Sequence, residues 1–186
     1  MIHTENTPNP DTLKFLPEKK VSEVGPLEFL KGDKNIKIPL AKQILSLNGI
    51  KMVFFGEDFI TVKKETKLDW SDLKHYIISE INDYYAKGNT VVISKNFNNN
   101  SNLKTKESKE SNDVINKINE VLDTKIRPAV AKDGGDIKFV SFKNGIVSVQ
   151  LKGSCSGCPS STMTLKQGVQ NLLCHYIPEV KSVEAN

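Results

Sequence analysis

Two of the chain's three cysteines lie in the stretch Gly153-Ser154-Cys155-Ser156-Gly157-Cys158-Pro159-Ser160-Ser161. An alternating apolar run at residues 146–151 precedes this stretch and predicts a strand, and apolar residues at helical spacing follow it in residues 160–176. The two thiols are therefore predicted to lie at a strand-to-helix turn. Two cysteines separated by two residues can ligate one metal centre or form a disulfide with each other, and their surroundings distinguish these chemistries.

The predicted helix N-terminus favours the reactive form of both thiols. If the helix begins near Pro159, its unpaired N–H groups and positive dipole end point at Cys155 and Cys158. Such a setting favours the thiolate, which is the form that ligates metals or attacks disulfides. Gly153 and Gly157 let the backbone approach a bulky ligand closely. If the guest is a metal centre, we expect the two cysteines to ligate it and the two glycines to contact it.

The charges around the two cysteines favour an anionic guest. The interval between Asp136 and Glu179 contains no carboxylate. It contains four lysines, namely Lys138, Lys143, Lys152 and Lys166. Four thiolates around an oxidised four-iron cluster give a net negative assembly, so a surround without acids avoids repulsion.

The number of good ligands in one chain is too small for a closed metal site. Tetrahedral zinc and a four-iron cluster each require about four ligands. Cys174 lies 16 residues after Cys158, and a continuous helix would carry it roughly 24 Å along the axis, so a structural thiol is the favoured interpretation. Two copies of the Cys155 and Cys158 turn in a symmetric dimer would supply four thiolates to one bridging cluster.

The spacing of the two cysteines leaves other interpretations open. A thioredoxin-like redox pair also lies between a strand and a helix, but that family has Gly-Pro between its cysteines where this chain has Ser-Gly, and no extended βαβ pattern precedes the pair here. A zinc half-site shared between chains, or structural cysteines, would show the same spacing. At this level iron-sulfur binding, disulfide exchange and zinc or structural roles all remain.

The fold class predicted for the whole chain is α+β, in two small domains joined by a flexible linker. Residues 95–112 are rich in Asn, Ser and Lys and nearly free of apolar side chains, so they bury too little surface to order themselves. This composition predicts domains at residues 1–94 and 113–186 with the linker between them.

Hydrophobic periodicity and turn residues predict the elements of both domains. In the first we expect strands at 2–5 and 12–16, a helix from Pro39, a hairpin of strands at 51–55 and 59–63, a helix at 69–87 and a strand at 90–94. In the second we expect a helix at 113–127 that Pro128 ends or kinks, a turn at 133–136, strands at 137–143 and 146–151 joined by a type I′ turn at Asn144-Gly145, the helix up to 176, and a strand at 180–184. The order in the second domain is α-β-β-α-β.

Composition and charge argue against several classes of function. The formal net charge is +4 and the lysines are scattered among acids, so we expect no binding to nucleic acid. No apolar run approaches the roughly 20 residues that cross a bilayer, and we expect no membrane association. The first residues lack a basic start followed by an apolar core, and the few cysteines suit a reducing compartment. We therefore expect a bacterial cytoplasm, in preference to a mitochondrial matrix.

Two groups of motifs resemble a known family. The run Ile126-Arg127-Pro128-Ala129-Val130-Ala131-Lys132-Asp133-Gly134-Gly135-Asp136-Ile137, followed by the cysteine stretch and its continuation to Lys166, resembles the C-terminal domain of NifU, the Nfu domain. The run Thr7-Pro8-Asn9-Pro10-Asp11-Thr12-Leu13-Lys14-Phe15-Leu16-Pro17, with residues 58–62 and Trp70, resembles the Nfu N-terminal domain. The resemblance covers nearly everything except the linker.

The resemblance implies an iron-sulfur cluster scaffold or carrier and no enzymatic activity. The family's CxxC motif maps onto Cys155 and Cys158, which implies a 4Fe-4S cluster bridging the two subunits of a homodimer. It further implies transfer of that cluster to apo iron-sulfur client proteins such as lipoyl synthase or aconitase-like enzymes, and contact with upstream assembly proteins. For such transfer we expect the cysteines on a solvent-facing turn, where client thiolates can exchange one sulfur at a time.

Overall fold

The computed structural model describes residues 2–89, 109–157 and 159–185. The chain divides into two compact units, residues 1–97 and 98–186, and each combines helices with a sheet. The predicted α+β class is therefore confirmed. The strand expected at 90–94, most of the expected linker and Cys158 lie outside the described residues, and the predicted domain boundaries stay a prediction.

The N-terminal unit is a five-stranded antiparallel sheet with two helices. Its strands are β1 His3–Asn6, β2 Thr12–Leu16, β3 Leu27–Leu30, β4 Ile50–Phe55 and β5 Ile60–Lys64, in the order β1-β2-β5-β4-β3. Its helices are α1 Pro39–Ser46 and α2 Trp70–Ala86. Every predicted element among the described residues is present with small shifts of its ends. The edge strand β3 was not predicted, because four half-buried or exposed residues become a strand only by pairing with β4.

The two helices of the N-terminal unit follow from local sequence signals. Pro39 provides the first residue of α1, where its fixed φ suits the helix and its missing N–H costs nothing. The carboxylate of Asp69 caps α2 by accepting a hydrogen bond from the backbone N–H of Ser71 at 2.9 Å. The residues of α2 that face the core recur at helical spacing and are Leu73, Ile77, Ile81 and Tyr84.

A polar cluster holds the loop between β1 and β2 against β5. Asp11 accepts hydrogen bonds from the hydroxyl of Thr66 at 2.7 Å and from Nζ of Lys64 at 3.3 Å. Burial tends to raise the pKa of Asp11, but the hydrogen bonds from Thr66 and Lys64 and the nearby lysine charges outweigh it, so the pKa is lowered from its ordinary value. The indole N–H of Trp70 donates to the carbonyl of Pro10 at 3.0 Å. These contacts give the motif residues of this loop a structural role.

The C-terminal unit has the predicted α-β-β-α-β order. Its elements are α3 Lys109–Val121, a π-helical turn Leu122–Ile126, α4 Arg127–Lys132, β6 Gly135–Lys143, β7 Ile146–Gly153, α5 Pro159–Tyr176 and β8 Ser182–Ala185. The sheet order is β6-β7-β8, with β6 antiparallel and β8 parallel to β7. Parallel neighbouring strands need a crossover connection. Helix α5 is that connection, because it follows the end of β7 and leads the chain back to the start of β8.

The first helical segment differs from its prediction at both ends. It begins at Lys109, before the expected start at residue 113, and of the two outcomes expected at Pro128, an end or a kink, the helix does not end there. Proline has no N–H to donate to the carbonyl of Thr124, so an unbroken α-helix cannot pass this point. The chain instead makes a π-helical turn, in which the N–H of Arg127 donates to the carbonyl of Leu122, and then continues as α4.

Two tight turns flank β6, and the one that joins it to β7 sets the register of the two strands. Asn144 and Gly145 both have positive φ, 54° and 81°, which confirms the type I′ hairpin turn. The turn predicted at 133–136 is shorter than expected, because β6 already begins at Gly135. Gly134 alone takes the left-handed conformation there, with φ of 79°.

Candidate metal centre

The structure places Cys155 in the turn that joins β7 to α5, as the sequence predicted. Gly153 is the last residue of β7 and Pro159 is the first residue of α5. Cys158 directly precedes Pro159 in the sequence and lies outside the described residues. Joint ligation by Cys155 and Cys158 therefore stays a prediction.

The thiol of Cys155 is buried, and the expectation of a solvent-facing cysteine is wrong for this residue. Cys155 is 4% exposed and belongs to the hydrophobic core of the C-terminal unit. Gly157, two residues later, is exposed. The reason for the burial is that the turn folds back over the start of β6, where the neighbouring backbone carries no side chain.

Gly135 is the residue that makes room for Cys155. It is the first residue of β6 and pairs with Gly153 of β7. A Cβ on Gly135 would lie 2.7 Å from Sγ of Cys155 and 2.6 Å from the carbonyl oxygen of Lys152. From the sequence, Gly135 was expected only in a turn. The available signal was the pair of glycines at 134 and 135, which marks a close backbone approach as readily as a turn.

Hydrogen bonds of Ser154 connect the cysteine turn to the turn before β6. Its side chain is buried, and its hydroxyl donates a hydrogen bond to the carbonyl of Asp133. Its backbone N–H donates to the carbonyl of Gly134 at 3.2 Å. Its Oγ lies 3.9 Å from Sγ of Cys155. The residue before the cysteine therefore links two segments that are about twenty residues apart.

The backbone of the cysteine turn uses both predicted glycines. Gly153 and Gly157 have φ of 66° and 70°, in the left-handed region that residues with a Cβ rarely occupy. The N–H and the hydroxyl of Ser156 both donate to the carbonyl of Gly153, at 3.2 and 2.9 Å. The hydroxyl of Thr162 donates to the carbonyl of Cys155 at 3.4 Å and ties the turn to α5. A cofactor contact of the two glycines stays a prediction.

The carboxylate that β6 brings alongside β7 is neutralised. Asp136 lies opposite Lys152 in the sheet, so the acid-free interval of the sequence is not acid-free in space. Asp136 accepts two hydrogen bonds of 2.9 Å from Nε and Nη2 of Arg127, which also donates to Asp123 at 2.9 Å. The hydrogen bonds to Asp136 in particular raise the pKa of Arg127 above its ordinary value. The Arg127–Asp136 pair was not predicted, because its members are nine residues apart on different elements.

The described residues supply Cys155 with no ready-made set of further ligands. No group of three or more His, Cys, Asp or Glu side chains suited to a metal ion occurs within residues 2–89, 109–157 and 159–185. Cys174 is half-buried and packs against the core of the C-terminal unit, which agrees with the structural role expected for it. In the part of the chain that the structure covers, none of the helices has the length and apolar character required to cross a membrane.

Family models match both units of the chain. A family model described as NifU-like domain matches residues 118–184, and one described as scaffold protein Nfu/NifU N terminal matches residues 2–88. The two matches cover more than half of the chain. The chain belongs to the Nfu/NifU family of scaffold proteins, and the resemblance seen in its motifs is confirmed.

Several similar proteins extend over almost the whole chain. The human protein named NFU1 iron-sulfur cluster scaffold homolog, mitochondrial, is 46% identical over 184 residues, which are 98% of this chain and 70% of the relative. The Arabidopsis thaliana NifU-like protein 4, mitochondrial, is 43% identical over 185 residues, 98% of this chain and 65% of the relative. A solution structure of a NifU-like protein from Saccharomyces cerevisiae is 31% identical, covers 51% of this chain and 85% of its own, and has a TM-score of 0.45.

These relatives correct the expected compartment. The human, Drosophila persimilis and Arabidopsis thaliana proteins are all named mitochondrial, which contradicts the expectation of a bacterial cytoplasm. The error was to treat the first residues as informative about location. The chain spans 70%, 64% and 65% of these three relatives.

Proposed function

We propose that this chain is an iron-sulfur cluster scaffold that holds a 4Fe-4S cluster between two copies and delivers it to apo-proteins. The ligands are Cys155 and Cys158 of each copy. The names of the human and Drosophila relatives support the scaffold role. The observation that carries the proposal is the position of Cys155, which is held by hydrogen bonds of its neighbours in the turn between β7 and α5. No residue is assigned a catalytic role.

The cluster is cargo in this proposal, and its chemistry matches the donors that the chain offers. Cysteine thiolates are the usual ligands of four-iron clusters, and four of them complete a cluster. One chain carries two cysteines in this turn, so two copies complete the set. The carboxylate nearest in the sheet, Asp136, is paired with Arg127 and adds no unpaired negative charge beside an anionic cluster.

Because Cys155 is buried, ligation of a cluster by this residue requires a second conformation of the turn. In the conformation described here, Sγ of Cys155 lies against Gly135. To ligate iron, the side chain turns away from Gly135 towards the exposed side of the turn at Gly157. The left-handed glycines at 153 and 157 allow the backbone on either side of Cys155 to adjust. Return of Cys155 to its buried position then favours release of the cluster to client thiolates.

Anaerobic reconstitution with iron and sulfide tests the proposed function. We expect a brown protein with about four iron atoms per two chains, as four thiolate ligands per cluster require. Cys155→Ala and Cys158→Ala abolish cluster binding, and the matched variant Cys174→Ala retains it. Equal loss in all three variants would contradict the assignment of the ligands. A colourless protein that catalyses disulfide exchange through Cys155 and Cys158 would favour the redox alternative instead.

A further inference from the structure

A small pocket lies in the N-terminal unit, beside the last turn of α2. Its volume is about 260 Å³, below the roughly 300 Å³ at which pockets for drug-sized ligands begin. It is lined by Ile2, Pro17, Lys19, Asn82, Tyr85 and Ala86. All six residues belong to the N-terminal unit, which contains no cysteine.

The hydroxyl of Tyr85 is the unexplained group of this pocket. It is shielded from water, and within the described residues it has no hydrogen-bond partner. A buried polar group without a partner costs roughly 1–3 kcal/mol, so a protein retains one where something else compensates for it. Burial, with a smaller contribution from Tyr84, raises the pKa of Tyr85 to about 12. The hydroxyl therefore keeps its proton at neutral pH and is available as a donor.

Two other side chains of the lining can also donate hydrogen bonds. Lys19 carries an ammonium group, whose Nζ lies 5.1 Å from the centre of the Tyr85 ring, and Asn82 has an amide NH₂. Among the described residues the lining contains no carboxylate, and the carboxylate of Glu18, next to Lys19 in the sequence, lies 3.2 Å from Nε2 of His3. The donors and the positive charge thus select an anionic acceptor.

The rest of the lining limits the size and character of that anion. Ile2, Pro17, Ala86 and the ring of Tyr85 are apolar, and the pocket volume of about 260 Å³ accommodates a chain of several carbon atoms. A doubly charged inorganic anion would gain little from these groups. A carboxylate attached to a short apolar chain uses both parts of the lining.

We propose that this pocket binds a carboxylate that carries a short apolar chain. The ammonium of Lys19, which is exposed, leaves the ring of Tyr85 and pairs with the carboxylate. The hydroxyl of Tyr85, which has no partner among the described residues, then donates to the same carboxylate together with Asn82. A free short-chain acid and the C-terminal carboxylate of a polypeptide share this chemistry.

Titration of the full chain with hexanoate, followed by nuclear magnetic resonance of the backbone amides, tests the proposal. We expect saturable shifts centred on Ile2, Lys19, Asn82 and Tyr85, and no such shifts with 1-hexanol or hexylamine. Tyr85→Phe weakens hexanoate binding about tenfold or more, which is the ordinary effect of losing a hydrogen bond to a charged group. The matched variant Tyr84→Phe, at a neighbouring residue outside the lining, leaves the affinity within about twofold.

A second measurement separates a binding role of Tyr85 from a structural one. Without ligand, Tyr85→Phe raises the urea midpoint of the N-terminal unit, because it removes a buried hydroxyl that has no partner. A structural hydroxyl would give the opposite sign. A peptide with a free C-terminus and its amidated form then distinguish the two sources of the carboxylate.

Each outcome bears on the proposal. Absence of saturable shifts with hexanoate and with the free-carboxylate peptide overturns it, as do equal shifts with 1-hexanol. Hexanoate binding that survives Tyr85→Phe and Lys19→Gln unchanged also overturns it. Selective binding that both substitutions weaken supports it, whichever of the two carboxylate sources binds more tightly.

Discussion

Replacement of Gly135 by alanine tests the packing that positions Cys155. The new Cβ would lie 2.7 Å from Sγ of Cys155, 2.6 Å from the carbonyl oxygen of Lys152 and 3.2 Å from the backbone nitrogen of Cys155. Non-bonded heavy atoms settle roughly 3.5–4.0 Å apart, so the sulfur has to withdraw by about 1 Å. The carbonyl oxygen belongs to the backbone of β7 and has no rotamer to change. The pairing of Gly135 with Gly153 opposes a shift of the whole strand.

We expect Gly135→Ala to lower the free energy of unfolding of the C-terminal unit by about 1–3 kcal/mol, the usual cost of overpacking. Gly168→Ala is the matched control. Gly168 lies within α5 and a Cβ there meets nothing within 4 Å, so alanine stabilises the helix by about 0.5–1 kcal/mol. Urea unfolding measures the free energy of unfolding of both variants. The chain's single tryptophan, Trp70, reports on the N-terminal unit, whose transition stays unchanged.

The same substitution has a chemical readout at the cysteine. Displacement of Cys155 from Gly135 exposes its thiol, so Gly135→Ala speeds alkylation of Cys155 by iodoacetamide. The rate is measured in a background in which Cys158 and Cys174 are replaced by alanine. If Gly135→Ala leaves both the stability of the C-terminal unit and the alkylation rate unchanged, the contact between Gly135 and Cys155 does not hold the thiol in its buried position.

Three further predictions follow from the hydrogen bonds of the two units. Ser154→Ala removes a buried hydroxyl that bonds a carbonyl and destabilises the C-terminal unit by about 1–3 kcal/mol in urea unfolding, whereas Ser156→Ala has a smaller effect; equal effects would contradict the role of Ser154. Arg127→Lys loses the two-point contact with Asp136 and costs about 1 kcal/mol in thermal unfolding, and an unchanged melting temperature would argue against that contact. Asp11→Asn destabilises the N-terminal unit at pH 7. Because the pKa of Asp11 is lowered in the folded state, this difference shrinks as the pH falls below 3.8, and a difference that grows there would show the sign to be wrong.

Periodicity predicted most of the fold, because the core of each unit is built from faces that repeat along the chain. The stripe from Leu73 to Tyr84 on α2 and the alternation along β7 are local patterns, and both became the expected elements. The strand β3 and the π-helical turn before Pro128 were missed. The first depends on a partner strand distant in the sequence, and the second is one of several ways a helix can accommodate proline.

The position of Cys155 between β7 and α5 was predicted, but its packing was not. The chain order of a strand, then the cysteine turn, then a helix is a local pattern, and it was visible in the sequence. The burial of Cys155 arises from Gly135 at the start of β6, and the neutralisation of Asp136 on β6 arises from Arg127 on α4. Such contacts depend on how the helices and strands pack together. The spacing of residues along the sequence does not determine that packing. The expected compartment failed for a different reason, since location leaves little trace in a folded domain.

The mass of the reconstituted protein under native conditions tests the central claim most directly. Mass spectrometry under anaerobic conditions compares the chain before and after cluster loading. Bridging by Cys155 and Cys158 of two copies predicts a loaded species of twice the 20.7 kDa chain mass plus one four-iron, four-sulfide cluster. A complete cluster on a single chain would contradict it.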